Sequence, residues 1–318
     1  MDSPLPHRQN ELVSKKIFFI GMILAASGLV SPPLALALGL AYGFTFVHPY
    51  HVESRQLSKF LLQASVVGLG FGMNLDQVIA AGRAGLLYTA LSIGFAMLVG
   101  WALGRLLKVR QKTSFLITAG TAICGGSAIA ALAPITEAGE EDTAVSLGVI
   151  FSLNSIALLL FPVIGWWLGL SQTQFGLWAA LAIHDTSSVV GATAKYGAVA
   201  LAVGTTVKLT RALWIVPLSI GTAIVQKSHA RIQWPWFILL FCLAAVANSY
   251  LPIFNAVYPQ LKHLGTIGLT VTLYLIGTGL SVKVLRNVGI RPLLQGIILW
   301  ILVATGSLAL ILRGWIHG

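Results

Sequence analysis

"GTAICGGSAIAA" (residues 120–131) sets two adjacent glycines and a serine at the middle of an otherwise apolar segment. Glycine lacks a Cβ and serine competes for backbone hydrogen bonds, so a helix is weakest there. At membrane depth, unwound backbone has to line a cavity or be packed inside protein. Small residues also permit close helix packing, which is the rival reading. "LIGTGLS" (275–281) repeats the combination in a corresponding place near the other end of the chain. The clusters Gly125-Gly126-Ser127 and Gly277-Thr278-Gly279 favour two discontinuous helices over packing alone.

Working outward, 57% of the 318 residues are hydrophobic and 9% are charged. A soluble domain would carry roughly a quarter charged residues. Apolar runs of about 20 residues, each long enough to cross a bilayer core, recur along the whole chain. The expected fold is therefore an all-α polytopic membrane protein with about eleven transmembrane helices. They fall at 13–31, 33–48, 57–78, 84–107, 114–135, 143–169, 175–197, 199–226, 234–253, 263–283 and 290–315. Pro32 and Pro33 divide the first apolar stretch, so its two short pieces are either separate spans or one re-entrant hairpin.

A formal charge of +11 suggests nucleic acid, but Lys and Arg lie in short loops between spans, where they set orientation. With the N-terminus inside, fourteen of the 20 basic residues fall in cytoplasmic loops and four outside, with Lys208 and Arg211 inside a span. The expected protein is a multi-pass component of the bacterial inner membrane, N-terminus cytoplasmic and C-terminus out. The acidic run "EAGEED" (137–142) then sits outside. Lys15 and Lys16 before an apolar run resemble a retained signal anchor. Cys124 and Cys242 both fall within spans and form no disulfide or zinc pattern. Pro49 separates His48 from His51, so no metal pair and no cofactor is expected.

Eleven spans resolve into an extra helix (1–32) and two sets of five (33–170 and 171–318). An odd number of spans per set makes the sets inverted repeats, a common plan for secondary transporters. A short similarity between 71–87 and 278–294 pairs the third span with the tenth and cuts across that register.

"AIHDTSSVVGA" (182–192) adds ionisable groups to the apolar background. His184, Asp185, Lys208 and Arg211 all lie away from span ends, at a cost of at least about 2–3 kcal/mol each on insertion scales. Lys208 and Arg211 share a helix face, and a pairing of Asp185 with one of them is expected. A structural ion pair locking two helices is the plainer alternative. Two cations against one carboxylate leave a surplus positive charge, which suits an anion beside Ser127, Thr186, Ser187 and Ser188. His184 titrates near neutral pH and, with Asp185, is the candidate for proton coupling. Asn74 and Asn154 are further ligands or helix–helix hydrogen bonds. Ser187 and Ser188 follow His184 closely, but the adjacent Asp185 points to another face and no nucleophile elbow is present, so no enzyme is expected.

These motifs, with "LITAGTAICGGSAIAALAPI" (116–135), "VKLTRALWIVP" (207–217) and "VVGLGFGMNL" (66–75), resemble the bacterial YeiH-type family, whose members carry a sulfate-exporter label. The resemblance covers nearly the whole chain. It implies an inverted-repeat fold of the cation/proton antiporter and anion transporter class, with discontinuous crossing helices, a panel domain, a core domain and elevator-type movement. Family members commonly carry His-Glu and bulkier groups where this chain has "HDTSS", which puts the ligand's identity in doubt.

The resulting expectation is a secondary active transporter of a small, sulfate-like anion, with the lipid bilayer as its surroundings and a homodimer allowed. Its site would comprise Cys124, Gly125, Gly126, Ser127, His184, Asp185, Thr186, Ser187, Ser188, Lys208, Arg211, Gly277, Thr278 and Gly279. A sodium-coupled carrier of organic solute, binding the ion through Asp185 and unwound carbonyls, is the alternative within transport. A non-transporting scaffold or sensor is the alternative outside it.

Overall fold

The computed structural model describes residues 5–46, 48–227, 235–279 and 289–316, and among them it contains helices and turns but no strand. Four helical stretches are long and apolar enough to cross a membrane. These are α4 (Leu75–Leu106), α7 (Glu140–Trp167), the pair α10 (Ala198–Leu213) and α11 (Ile215–Gln226), and α14 (Ile290–Leu312). Shorter apolar helices include α2 (Pro32–Thr45) and α12 (Trp236–Tyr250). Pro217 lacks the N–H that would bond the Leu213 carbonyl, and α10 gives way to α11 at Trp214.

The chain forms two compact units. The first holds α1 (Leu5–Ala26), α2, α3 (His51–Gly70), most of α12 and α13 (Tyr258–Thr278). Here α13 lies against both α2 and α3. A Cβ on Gly277 would stand 2.7 Å from the Leu36 carbonyl oxygen and 2.8 Å from backbone atoms of Gly39 and Leu40, so only glycine permits that approach. Tyr274 Oη donates to the Phe18 carbonyl at 3.0 Å inside a cluster with Tyr42. The tenth segment is helical through Thr278 and α13 ends there with Gly279 as its C-cap, within the Gly277-Thr278-Gly279 cluster. Leu280 and Ser281, like most of 278–294, lie outside the described residues.

The second unit holds α4, α5 (Gln111–Ala122), α6 (Gly126–Leu132), α7, α8 (Gln172–Ala182), α9 (Thr186–Tyr196), α10, α11 and α14. The loop expected near 79–83 falls instead at 71–74, because the Asn74 side chain accepts from the Asp76 N–H at 2.7 Å and caps α4. Asn74 is thus neither a ligand nor a helix–helix bond.

The fifth segment breaks at 123–125, as its glycines suggest, but it does not continue across. Arg110 Nη1 lies 2.8 Å from Glu141 Oε2, and Lys112 Nζ donates to the Glu137 carbonyl at 2.5 Å. Thr113 Oγ1 donates to Asp142 Oδ1 at 2.5 Å. The two ends of α5–α6 are therefore together, and the segment is a helical hairpin. The acidic run shares an end with Arg110 and Lys112, which corrects its assignment to the opposite side. Its carboxylates hold the Arg110 pKa above the usual value, chiefly through the Glu141 hydrogen bond.

The seventh segment behaves in the same way. Ser171 and Gln174 form a capping box at the start of α8, and α8 ends at Ala182. α9 then returns so that Tyr196 Oη donates to the Leu170 carbonyl at 2.7 Å and the Val199 N–H to Gln172 Oε1 at 3.0 Å. The Phe175 and Tyr196 rings stack at 3.8 Å across this base. The first hairpin stands beside the start of α7 and the second beside its end, so they enter from opposite ends of that helix. Two segments expected to traverse the fold instead turn back within it.

Candidate functional site: two hairpin tips held by buried cations

The hairpins meet tip to tip. Gly125, the N-cap of α6, has φ +66° and ψ −125°, a conformation reserved for glycine. A Cβ there would lie 3.5 Å from Asp185 Cα and Cβ and 3.2 Å from Ile150 of α7. Half-way along α7, Asn154 Oδ1 accepts the Asp185 N–H at 3.1 Å. The motifs at 120–131 and 182–192 therefore form one centre.

Behind the tips stand Lys208 and Arg211 of α10, both fully buried. Lys208 Nζ donates to the Ile183 carbonyl at 2.7 Å and to that of Ala180 at 3.4 Å. Arg211 Nε donates to the Ala122 carbonyl at 2.5 Å and Nη2 to that of Thr121 at 3.3 Å. Its Nη1 reaches the carbonyls of Leu181 and Ala180 in the other hairpin. The last carbonyls of a helix have no intrahelical partner and carry the negative end of the dipole. Both cations thus cap the interrupted first arms α5 and α8.

The expected pairing of Asp185 with Lys208 or Arg211 is not formed. The Asp185 carboxylate accepts from the Ser187 N–H at 3.0 Å and from the Ser187 hydroxyl, which caps α9. Local capping claims the acid first, and the nearby carbonyls claim the cations.

A model of the family described as conserved hypothetical protein 698 matches residues 12–296 of this chain. A UPF0324 membrane protein of Bacteroides thetaiotaomicron is 49% identical over 92% of this chain and 90% of its own length. The chain belongs to the UPF0324 membrane protein family. Its relatives of that name in Porphyromonas gingivalis and Geobacter sulfurreducens are 51% and 48% identical. Those alignments cover 89% and 94% of this chain and 87% and 96% of the relatives. No solved structure matches it.

In this UPF0324 protein most expected site residues do converge on the tips. Cys124, His184, Asp185, Thr186, Ser187 and Ser188 are buried, while Ser127 is exposed on the first turn of α6. Gly277, Thr278 and Gly279 are not among them. They belong to the first compact unit, where Thr278 Oγ1 lies 3.0 Å from His48 Nε2 and donates to Leu275. Neither ring nitrogen of His184 has a hydrogen-bond partner, so His184 is paired with neither Ser187 nor Ser188.

Several polar atoms around the tips also lack partners: Asn154 Nδ2 and the hydroxyls of Thr121, Thr205 and Thr206. Sequence reasoning passed over these threonines because one hydroxyl in a helix usually bonds back to its own backbone. Trp300 of α14 was also missed. Its Nε1 donates to the Ala182 carbonyl at 3.1 Å and its ring lies 6.4 Å from that of His184.

Proposed function

We propose that this membrane protein is a secondary active transporter of a small, sulfate-like anion across the bacterial cytoplasmic membrane. One observation carries the reading: two fully buried cations share the hairpin tips with a single carboxylate. A buried surplus charge is costly unless a counter-ion reaches it. The unpartnered donor Asn154 Nδ2 and the hydroxyls of Thr186 and Ser188 beside the tip would orient the anion's oxygens. His184, with both nitrogens free of partners, would carry the coupled proton with Asp185.

Counting the two hairpins as re-entrant gives nine crossings in place of eleven. The N-terminus stays cytoplasmic, and the fourteen-to-four bias of basic residues is untouched, because no Lys or Arg changes side. The halves 33–170 and 171–318 then have four crossings and one hairpin each, the hairpin being the fourth segment of the first half and the first of the second. The inverted five-helix register is therefore given up, and only the entry of the hairpins from opposite faces is inverted. The unit bearing the hairpins would be the moving core and the other the panel.

The sodium-coupled alternative loses support at the same place. The carbonyls that end α5 and α8 already accept from Lys208 and Arg211, so they are not free for a cation. The test is current from proteoliposomes on a solid-supported membrane, challenged with sulfate, sulfite, thiosulfate, taurine and chloride. A saturable current that vanishes in Lys208→Met is expected. Strict sodium dependence, or an unchanged current in that variant, would sink the anion reading.

A further inference from the structure

The second unit contains a cleft of about 1150 Å³ between α4 and α11, floored by α5. It opens at the base of the first hairpin, and no function has yet been given to it. Arg105 and Lys112 stand at its mouth, and no carboxylate lines it. Ser114 and Thr118 of α5 line its floor. These two hydroxyls and Thr121 follow one face of α5, at spacings of four and three residues. Thr121 is three residues, or about 4.5 Å of helical rise, beyond Thr118. Its carbonyl is held by Arg211 and its buried hydroxyl has no partner. The break at 123–125 begins five residues, or about 7.5 Å of helical rise, beyond Thr118, so the lining of the cleft stops about one and a half turns short of the hairpin tips.

The opposite hairpin carries an aromatic cluster at its base. Tyr196 stacks there on Phe175 and, at 5.7 Å, on Trp166. The ammonium of Lys195 lies 5.2 Å from the Trp166 ring centre. One hairpin base is therefore packed with aromatic rings, and the other opens into a largely apolar cleft that carries Arg105 and Lys112.

We infer that this cleft is the water-filled vestibule through which a small inorganic anion reaches the tips from the base of the first hairpin. The inference rests on the anion-transport reading. Arg105 and Lys112 supply the attraction at the mouth, while the Ser114 and Thr118 hydroxyls are engaged with Gln295 and, for Thr118, with the Ser114 carbonyl, and so fix the floor. Gln295 of α14 backs that floor. Its Nε2 lies 2.8 Å from Ser114 Oγ and 3.2 Å from Thr118 Oγ1, which fixes both side chains. Two basic side chains and no carboxylate in the lining favour an anionic occupant.

The experiment introduces Thr118→Cys and, on the facing wall, Thr222→Cys, each against the unsubstituted protein as background. Methanethiosulfonate reagents of opposite charge and similar size, ethylsulfonate and ethyltrimethylammonium, are applied to protein in detergent and in zwitterionic and anionic liposomes. Both positions should react, the anionic reagent faster by about tenfold, as a cleft of one charge sign implies. That preference should disappear in Arg105→Gln/Lys112→Gln. Two outcomes overturn the vestibule. One is no reaction at Thr118→Cys in any setting while Thr222→Cys reacts. The other is protection of Thr118→Cys by anionic liposomes alone, which would assign the groove to lipid. Labelling does not require turnover, so a silent transporter with a reactive vestibule would refute the transport reading and leave the access route standing. A working transporter with an unreactive Thr118→Cys would do the reverse.

Discussion

Arg211 and Lys208 show how far residue chemistry can be carried from sequence and where it stops. Their types and depth single out the centre, yet the partners are backbone carbonyls, which have no letter in a sequence. Asp185 is misjudged for a related reason, since a cap depends on where the helix starts and the sequence gave two cations to compete for it. Arg211→Leu strands carbonyls of both hairpins, and each unsatisfied buried acceptor costs about 1–3 kcal/mol. Lys208→Met strands chiefly the Ile183 carbonyl. Thermal unfolding in detergent should therefore show the larger loss of Tm for Arg211→Leu, with Lys208→Met still folded. Gly125→Ala forces an L-residue into a glycine conformation, at about 1–3 kcal/mol, beside Ile150. Its Tm should fall by several degrees, and an unchanged Tm would mean that the break at 123–125 is built differently.

Among elements, the break in the fifth segment is legible in its glycines, and the break in the seventh hides in "HDTSS" as an ordinary capping sequence. Hydropathy finds both segments but cannot tell a helix that continues from one that turns back, because both are apolar and of similar length. The return is set by Arg110–Glu141 and Thr113–Asp142 at one base and by Tyr196–Leu170 at the other. A membrane-impermeant thiol reagent should therefore reach Lys112→Cys and Glu137→Cys from the same side. Ser171→Cys should react from the opposite side. Labelling of Lys112→Cys from the same side as Ser171→Cys, with Glu137→Cys reached only from the other, would restore a full crossing at the fifth segment.

For the whole molecule, composition fixes the membrane class, while the division into two units escapes a linear reading. The first unit joins 1–73 to 240–282, so its halves are separated by the whole hairpin-bearing region. Gly39 and Gly277 bring them together by close backbone approach, a role for Gly277 that the sequence does not announce. Gly277→Ala pushes a Cβ to 2.7 Å from the Leu36 carbonyl oxygen. Hydrogen exchange should then rise in α2 and α13, with α7 and α10 protected as before. A uniform rise would mean that the two units unfold as one.

The guanidinium of Arg211 accepts no division of labour between the hairpins. It is a single rivet through three helices: α10 on one side, the end of α5 and the end of α8 on the others. Prising either tip loose alone would leave a charged group facing empty carbonyls in a dry interior. In the proposed transport cycle, both tips and α10 would therefore move as one cargo.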